Sequence, residues 1–327
     1  MTTTSILIRT KNEQAMLGET LKGVFAQVMA PTQVIVIDSG STDRTLEIAA
    51  QYPVRILELP PAHWGYSRAL NLAASHATGE ILVCLSAHCP PVHDLWLANL
   101  CRHFADPSVA AVWGPGLRPG RQVPAVEAPL RQEPGTYSVE TRTWGLSNPN
   151  SALRRSLWRQ FPFDENMPAA EDKAWGKEAM DRGYAIVYEP DAAVWHAPHP
   201  PLAAFRRNRA VMAGFKVMFP ELEVPAAGSL AQIGRGLRNT LRRQREDPSA
   251  ASLWRDMRHL PAILTGLVGS YVGGHRRKYE SAGPPTAASE VPCPVRAVEV
   301  TSDRPPTCSC PGTTHAPGCF LYEGTAS

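Results

Sequence analysis

Short apolar runs, separated by polar turns and by segments of helical period, organise the first 200 residues. Ser5–Ile8 is the first run, and the polar stretch Arg9 to Glu13 leads from it into an amphipathic helix with Leu17, Leu21, Val24, Phe25 and Val28 on one side. Pro31 breaks the chain before Gln33–Ile37, a near-continuous apolar strand of the kind buried on both faces of a parallel sheet. The turn Asp38 to Asp43 feeds a helix over Arg44–Gln51, followed by a strand at Val54–Leu59, a helix at Ser67–His76 and a fully apolar strand at Ile81–Leu85. Farther on, the pattern predicts a helix over Ser151–Gln160 and another over Lys173–Arg182, with Ala174, Trp175, Ala179 and Met180 as inward positions and Gly183 as its stop. Strands then follow at Tyr184–Tyr188 and Ala192–Trp195. Successive strand-then-helix units predict an α/β fold with a mostly parallel sheet covered by helices on both faces.

Composition narrows this picture. A chain of 327 residues buries a full core without disulfide or metal staples, and 43% hydrophobic with 19% charged residues are globular values. A net charge of +3 is too small to imply nucleic acid as a partner. Met1–Thr4 leads straight into an apolar strand with no signal-peptide pattern, so the expected location is cytoplasmic. Cys84, Cys89 and Cys101 are scattered through the body and form no disulfide pattern.

The charge is unevenly placed. Residues 201–280 hold 14 Lys plus Arg against 6 Asp plus Glu, with arginines alternating with apolar residues at helical spacing. This predicts a basic helical region packed on a catalytic domain of residues 1–200. Two readings of it stay open: a peripheral contact with an anionic membrane surface, or a solvated arginine-rich subdomain. Leu260–Gly274 is apolar but too short and glycine-rich to span a bilayer. Residues 281–327 are rich in Pro, Ala, Thr and Ser and are expected to be a disordered tail, in which Cys308, Cys310, His315 and Cys319 match no standard zinc spacing.

Ligands of open α/β sheets bind beyond the carboxyl ends of the strands. Three polar clusters fall there: Thr10 to Glu13, Asp38 to Asp43, and Ser86-Ala87-His88. No G-x-G-x-x-G follows the first strand, which disfavours a dinucleotide dehydrogenase, and Gly114, Gly116 and Gly120, interrupted by prolines, read as a loop. Glu171 and Asp172 open a helix, where the macrodipole favours ionised carboxylates, so Asp172 is a candidate general base. A plain helix-start charge pair is the alternative. His196, where the chain leaves its last strand, is placed to ligate a metal or hold a phosphate.

In order along residues 5–200 stand Arg9-Thr10-Lys11-Asn12-Glu13, Asp38-Ser39-Gly40-Ser41-Thr42-Asp43, Arg68 with Asn71, Gly79-Glu80, Asn150 to Arg155, Glu171-Asp172 and Trp195-His196. Each is weak alone, but their joint order resembles family 2 glycosyltransferases. The resemblance implies the GT-A fold, a nucleoside-diphosphate sugar donor (UDP- or dTDP-linked) and inversion at the anomeric carbon. It places Thr10, Asn12, Glu13, Asp38 and Ser39 around the nucleotide and Arg68 near the diphosphate. Asp172 becomes the base and Glu171 a helix cap or acceptor-orienting group. Asn150 would meet the sugar in the loop before the Ser151 helix, and Trp144 would stack on a sugar face. The proline-rich, aperiodic stretch from Arg121 to Trp144 would face the acceptor.

The departure from the family pattern is at the metal site, where Ser86-Ala87-His88 replaces the usual Asp-x-Asp and resembles a subgroup with that triplet. A hydroxyl and an imidazole hold Mg2+ less well than two carboxylates. Mn2+ held by His88 and His196, Mg2+, or metal-independent stabilisation of the phosphate by the same histidines all remain open. The acceptor implied is a saccharide, a lipid-linked carrier or a small molecule. Rival functions are a catalytically inactive sugar-nucleotide-binding protein and a membrane-associated scaffold.

Overall fold

The computed structural model describes residues 2–118, 128–136, 145–196, 201–219 and 296–300. Along these the order is β1 (Thr4–Thr10), α1 (Leu17–Phe25), β2 (Gln33–Asp38), α2 (Thr45–Ala49), β3 (Arg55–Glu58), α3 (Tyr66–Ser75), β4 (Ile81–Ser86), α4 (Trp96–Cys101) and β5 (Val109–Trp113). There follow β6 (Gly116–Leu117), β7 (Leu130–Gln132), β8 (Asn150–Arg154), α5 (Arg155–Gln160), α6 (Glu171–Asp181), β9 (Ala185–Tyr188), β10 (Val194–Trp195), α7 (Pro201–Met218) and β11 (Arg296–Glu299).

Nine strands form one sheet in the order β11, β3, β2, β1, β4, β8, β5, β9, β7, and β10 pairs with β6 in a small second sheet. The pairs among β1, β2, β3 and β4 are parallel, whereas β8 runs antiparallel to both β4 and β5. The period of two along each strand divides the core. Ile6, Ile8, Val34, Val36, Ile81, Val83 and Leu85 face one way, onto Leu17, Leu21 and Val24 of α1 and Trp96, Leu97 and Leu100 of α4. Leu7, Ile35, Ile37, Leu82 and Cys84 face the other, onto Ala69, Leu70 and Ala73 of α3, Leu157 and Trp158 of α5, and Trp175 and Ala179 of α6. The result is a helix–sheet–helix sandwich, as the uninterrupted apolar runs imply.

Several expectations need correction. Ser151–Arg154 is strand, and the helix begins only at Arg155. Ser151, Ala152 and Leu153 are small or apolar and pair with strands on both sides, so long-range pairing overrides their local helix propensity. Helix α1 stops at Phe25, which leaves Val28 71% exposed rather than on the apolar face. The stretch read as aperiodic contains β7, whose three residues pair antiparallel with β9. Arg296–Glu299, expected in a disordered tail, pairs antiparallel with β3 as an edge strand. Trp144, the basic segments beyond residue 219 and the Cys308, Cys310, His315, Cys319 set lie outside the described residues. Among the described residues, no helix is long and apolar enough to cross a membrane.

Candidate active site

The carboxyl ends of β1, β2 and β4 place Thr10, Asp38 and Ser86 along one rim of the sheet. Asp38 is 1% exposed, and its carboxylate accepts the backbone N–H groups of Gly40 and Ser41 at 2.8 Å each and the Ser41 hydroxyl. Gly40 closes this turn at φ +83°, in the left-handed region that costs glycine nothing. The turn presents Ser39, whose Oγ donates to the Thr10 carbonyl at 3.2 Å. Thr10 Oγ1 is buried and has no hydrogen-bond partner among the described residues, which leaves an acceptor and donor free on the floor of this rim.

Asn12 has φ 53° and clamps the neighbouring loop, its Oδ1 accepting Thr42 N–H at 2.8 Å. Its amide oxygen therefore serves loop packing, as does its backbone N–H, which donates to Ser41 Oγ at 2.8 Å. Glu13 turns toward the β4 end, where its Oε1 lies 2.8 Å from His88 Nδ1. Arg68, on the outer face of α3, pairs with Glu165 at 3.0 Å, and both are largely solvated.

His88 belongs to a tight turn after β4 in which Cys89 N–H donates to the Ser86 carbonyl at 3.0 Å. His196 is brought beside it by β10, because Trp195 N–H donates to Pro90 O at 2.9 Å and His196 N–H to Leu117 O at 2.7 Å. The two imidazole centroids are 5.2 Å apart. Together with Cys89, the histidines offer three ligand atoms within 4.8 Å of one another. Cys89 was not anticipated; its only signal was adjacency to His88. Burial raises its thiol pKa, with the Ser86 hydroxyl opposing, so Cys89 favours the neutral thiol over a thiolate ligand.

The acidic pair divides its labour. Ala170, at φ 63°, turns the chain into α6 and sends Glu171 inward, where it is 4% exposed and 3.0 Å from Arg9 Nη1 at the end of β1. Arg9 also donates to Tyr66 O at 3.2 Å and lies over the Tyr66 ring at 5.2 Å. Burial raises the Glu171 pKa, the Arg9 guanidinium opposes this, and Asp172 adds to it. At Glu171 desolvation therefore works against the ionised form that a helix start favours, and the Arg9 guanidinium works for it.

Asp172 stays half-buried at the surface of the cleft, with Oδ2 accepting Asn148 N–H at 3.0 Å and Oδ1 accepting Lys173 N–H at 2.8 Å. The buried Lys173 ammonium donates to Gly145 O at 3.0 Å over the Trp113 ring; burial lowers its pKa, with Asp172 opposing. Residues 148–150 then join the two halves of the rim. Asn148 holds Asp172, and Pro149 O accepts Ser86 N–H at 3.1 Å at the start of the histidine turn. Asn150 corrects its assignment to the sugar. It is 2% exposed, accepts Trp96 Nε1–H at 2.9 Å and donates to Ala192 O at 2.6 Å, so both ends of its amide are consumed by packing. Arg9, which holds Glu171, was not among the expected site residues; a charge ending an apolar strand was the available sign.

The mostly parallel sheet covered by helices on both faces, with β8 antiparallel between β4 and β5, has the GT-A fold of nucleotide-diphospho-sugar transferases. Residues 5–165, just under half of the chain, match the model of Glycosyl transferase family 2. The chain is 26% identical over 212 residues to the O-antigen chain rhamnosyltransferase RfbN of Salmonella typhimurium, covering 59% of this chain and 66% of the relative. It is 30% identical over 189 residues to the O-antigen chain rhamnosyltransferase WbaN of Salmonella anatum, covering 52% and 58%. It thus spans less than two thirds of either relative. Its fold resembles the mannosyltransferase PcManGT from Pyrobaculum calidifontis, solved with GDP-Man and Mn2+, at TM-score 0.56 and 21% identity over 84% of this chain and 87% of that one.

Proposed function

We propose that this chain is an inverting glycosyltransferase that moves a sugar from a nucleoside-diphosphate donor to a hydroxyl acceptor. The observation that carries the reading is the 148–150 bridge, which ties Asp172 to the turn bearing His88 and so fixes a carboxylate and an imidazole pair on one cleft. Asp172 takes the acceptor proton as that oxygen attacks the anomeric carbon from the face opposite the diphosphate. Two backbone N–H groups hold its carboxylate in place, so little reorganisation is needed at the moment of transfer. Glu171 is a positioning residue, anchored through Arg9 to β1. Thr10, Glu13, Asp38 and Ser39 form the nucleotide end of the cleft, and Arg68 stands at its outer edge.

Two imidazoles suit Mg2+ poorly, and Mn2+, though also an oxygen-preferring ion, accepts imidazole nitrogen more readily. His88 and His196 would hold Mn2+, with Glu13 behind His88 as the carboxylate that orients a metal-bound imidazole, and the ion would supply positive charge to the diphosphate. The similarity to two rhamnosyltransferases supports a deoxyhexose donor and a saccharide or lipid-linked saccharide acceptor. The test is nucleoside-diphosphate release from a panel of UDP-, dTDP- and GDP-sugars that includes dTDP-rhamnose, comparing wild type with Asp172→Asn. Selective release that falls by about 10²–10⁴-fold in the variant, with nucleotide affinity retained, is expected for loss of a general base. Equal rates in the two proteins would remove Asp172 from the mechanism.

A further inference from the structure

Helix α7 lies beyond the stretch matched by the family model, and its packing carries a consequence for the reaction. Met212 and Phe215 are buried on its apolar side, about 160° and 100° round the helix from Gly214. Gly214 itself sits so close to the turn before α6 that an added Cβ would fall 2.1 Å from Ala169 O and 3.4 Å from Ala170 Cβ. The Gly214 side of α7 is thereby pinned against the residues that launch Glu171 and Asp172.

Arg206, Arg207 and Arg209 are exposed on this helix. At 3.6 residues per turn, Arg207 lies about 20° from the direction of Gly214, Arg206 about 80° and Arg209 about 140°. Arg207 alone continues the pinned side, about 10 Å toward the helix start, and helical side chains lean in that direction. That start, Pro201, is five residues on from His196 and so within about 18 Å of it, while Gly214 touches the turn before Asp172. Arg207 therefore lies on the stretch of α7 between the histidine end and the Asp172 end of the cleft. Among the described residues no carboxylate pairs with Arg207.

We infer that Arg207 is the protein's own cation for the departing diphosphate. The inference rests on the glycosyltransferase reading above and adds a residue to it. In the transfer step the acceptor oxygen–carbon bond forms and its proton passes to Asp172. The bond from the anomeric carbon to the phosphate oxygen breaks, and its electron pair leaves with the nucleoside diphosphate, where the Arg207 guanidinium meets the new charge. The charge of Arg207 is felt beside Asp172: the Lys173 ammonium, lowered chiefly by burial and raised by Asp172, is lowered further by Arg207. A guanidinium here also eases the replacement of an Asp-x-Asp metal clamp by Ser86-Ala87-His88, because part of the required positive charge comes from the chain.

The test compares Arg207→Ala, Arg207→Gln and Arg207→Lys with Arg206→Ala and Arg209→Ala in the full chain. Readouts are transfer at saturating donor, melting temperature, and the affinities of UDP, dTDP and GDP against the corresponding nucleosides. Removing one charge-stabilising donor predicts a fall in kcat of about 10²-fold for Arg207→Ala and Arg207→Gln. Affinity for whichever diphosphate binds wild type should drop about tenfold, as for loss of a charged hydrogen bond, with nucleoside affinity unmoved. Arg207→Lys should recover part of both losses, and the Arg206 and Arg209 variants should match wild type. If Arg207→Ala and Arg207→Gln also match wild type, the inference is overturned while the glycosyltransferase reading stands. If wild type transfers no sugar and binds none of the three diphosphates, both fall together.

Discussion

Replacing Arg9 with Met tests how the acidic pair is held. The side chains of Arg9 and Glu171 are 14% and 6% exposed; among the described residues Arg9 also donates to Tyr66 O, and Asn148 Nδ2 lies 3.5 Å from the carboxylate. Breaking a buried pair by removing one partner costs about 3–5 kcal/mol when the other stays charged. Glu171 has an escape, since it can fold protonated. For a carboxyl of ordinary pKa near 4.3, taking up that proton costs about 3.7 kcal/mol at pH 7 but only about 1 kcal/mol at pH 5. The penalty at pH 7 is therefore capped by protonation, and the variant should recover about 2.7 kcal/mol on acidification, roughly 5–10 °C in melting temperature for a domain of this size.

The sign follows from proton counting. A raised folded pKa means the native state binds more protons than the unfolded one, so stability is greatest below the unfolded pKa and is lost as pH rises. Wild type should show the same trend in weaker form, because Arg9 opposes the shift. Urea or thermal unfolding from pH 5 to pH 8 reads the effect, and the double variant Arg9→Met with Glu171→Gln should abolish its pH dependence. A gap between wild type and Arg9→Met that stays constant across that range would refute the picture of a carboxylate kept charged by Arg9.

Three further outcomes are expected. Asn150→Ala should destabilise by about 1–3 kcal/mol, because Trp96 Nε1–H and Ala192 O lose their partner, while donor and acceptor KM stay unchanged; a KM increase without loss of stability would return Asn150 to the sugar site. Mn2+ added to chelator-treated enzyme should raise transfer more than Mg2+ does, and His88→Gln or His196→Gln should remove the difference; equal wild-type rates with and without Mn2+ would show the histidines acting without an ion. Gly214→Ala should displace α7 from the Ala169 turn, lowering transfer with little change in global melting temperature, as an added methyl 2.1 Å from a carbonyl oxygen has no room to stay. Unchanged transfer by that variant would dissociate α7 from catalysis.

Local pattern was enough for most of the scaffold and for the addresses of the chemistry. The runs at Gln33–Ile37 and Ile81–Leu85 are short, apolar at every position facing either core, rich in Val and Ile and preceded by Pro31 and Gly79, which reads as strands covered on both sides, and ligands of such sheets collect at their carboxyl ends. That logic located Thr10, Asp38, Ser86 and His88. It failed where the deciding contact is distant in sequence. Ser151–Leu153 has no strand signal strong enough to beat a helical reading, and becomes β8 because β4 and β5 leave a slot between them. Arg296–Glu299 becomes a strand only because the edge of β3 offers unpaired backbone groups.

The site divides in the same way. Sequence alone determined that an acidic pair opens a helix and that two histidines follow strands. Only the tertiary structure decided that Glu171 turns inward to Arg9, 162 residues away, while Asp172 faces the cleft. It likewise decided that Asn150 is consumed by Trp96 and Ala192 and that Cys89 joins His88 and His196. The physical reason is that desolvation and hydrogen-bond pairing depend on which groups meet in the folded chain, and neither the residue types nor their spacing specifies those meetings.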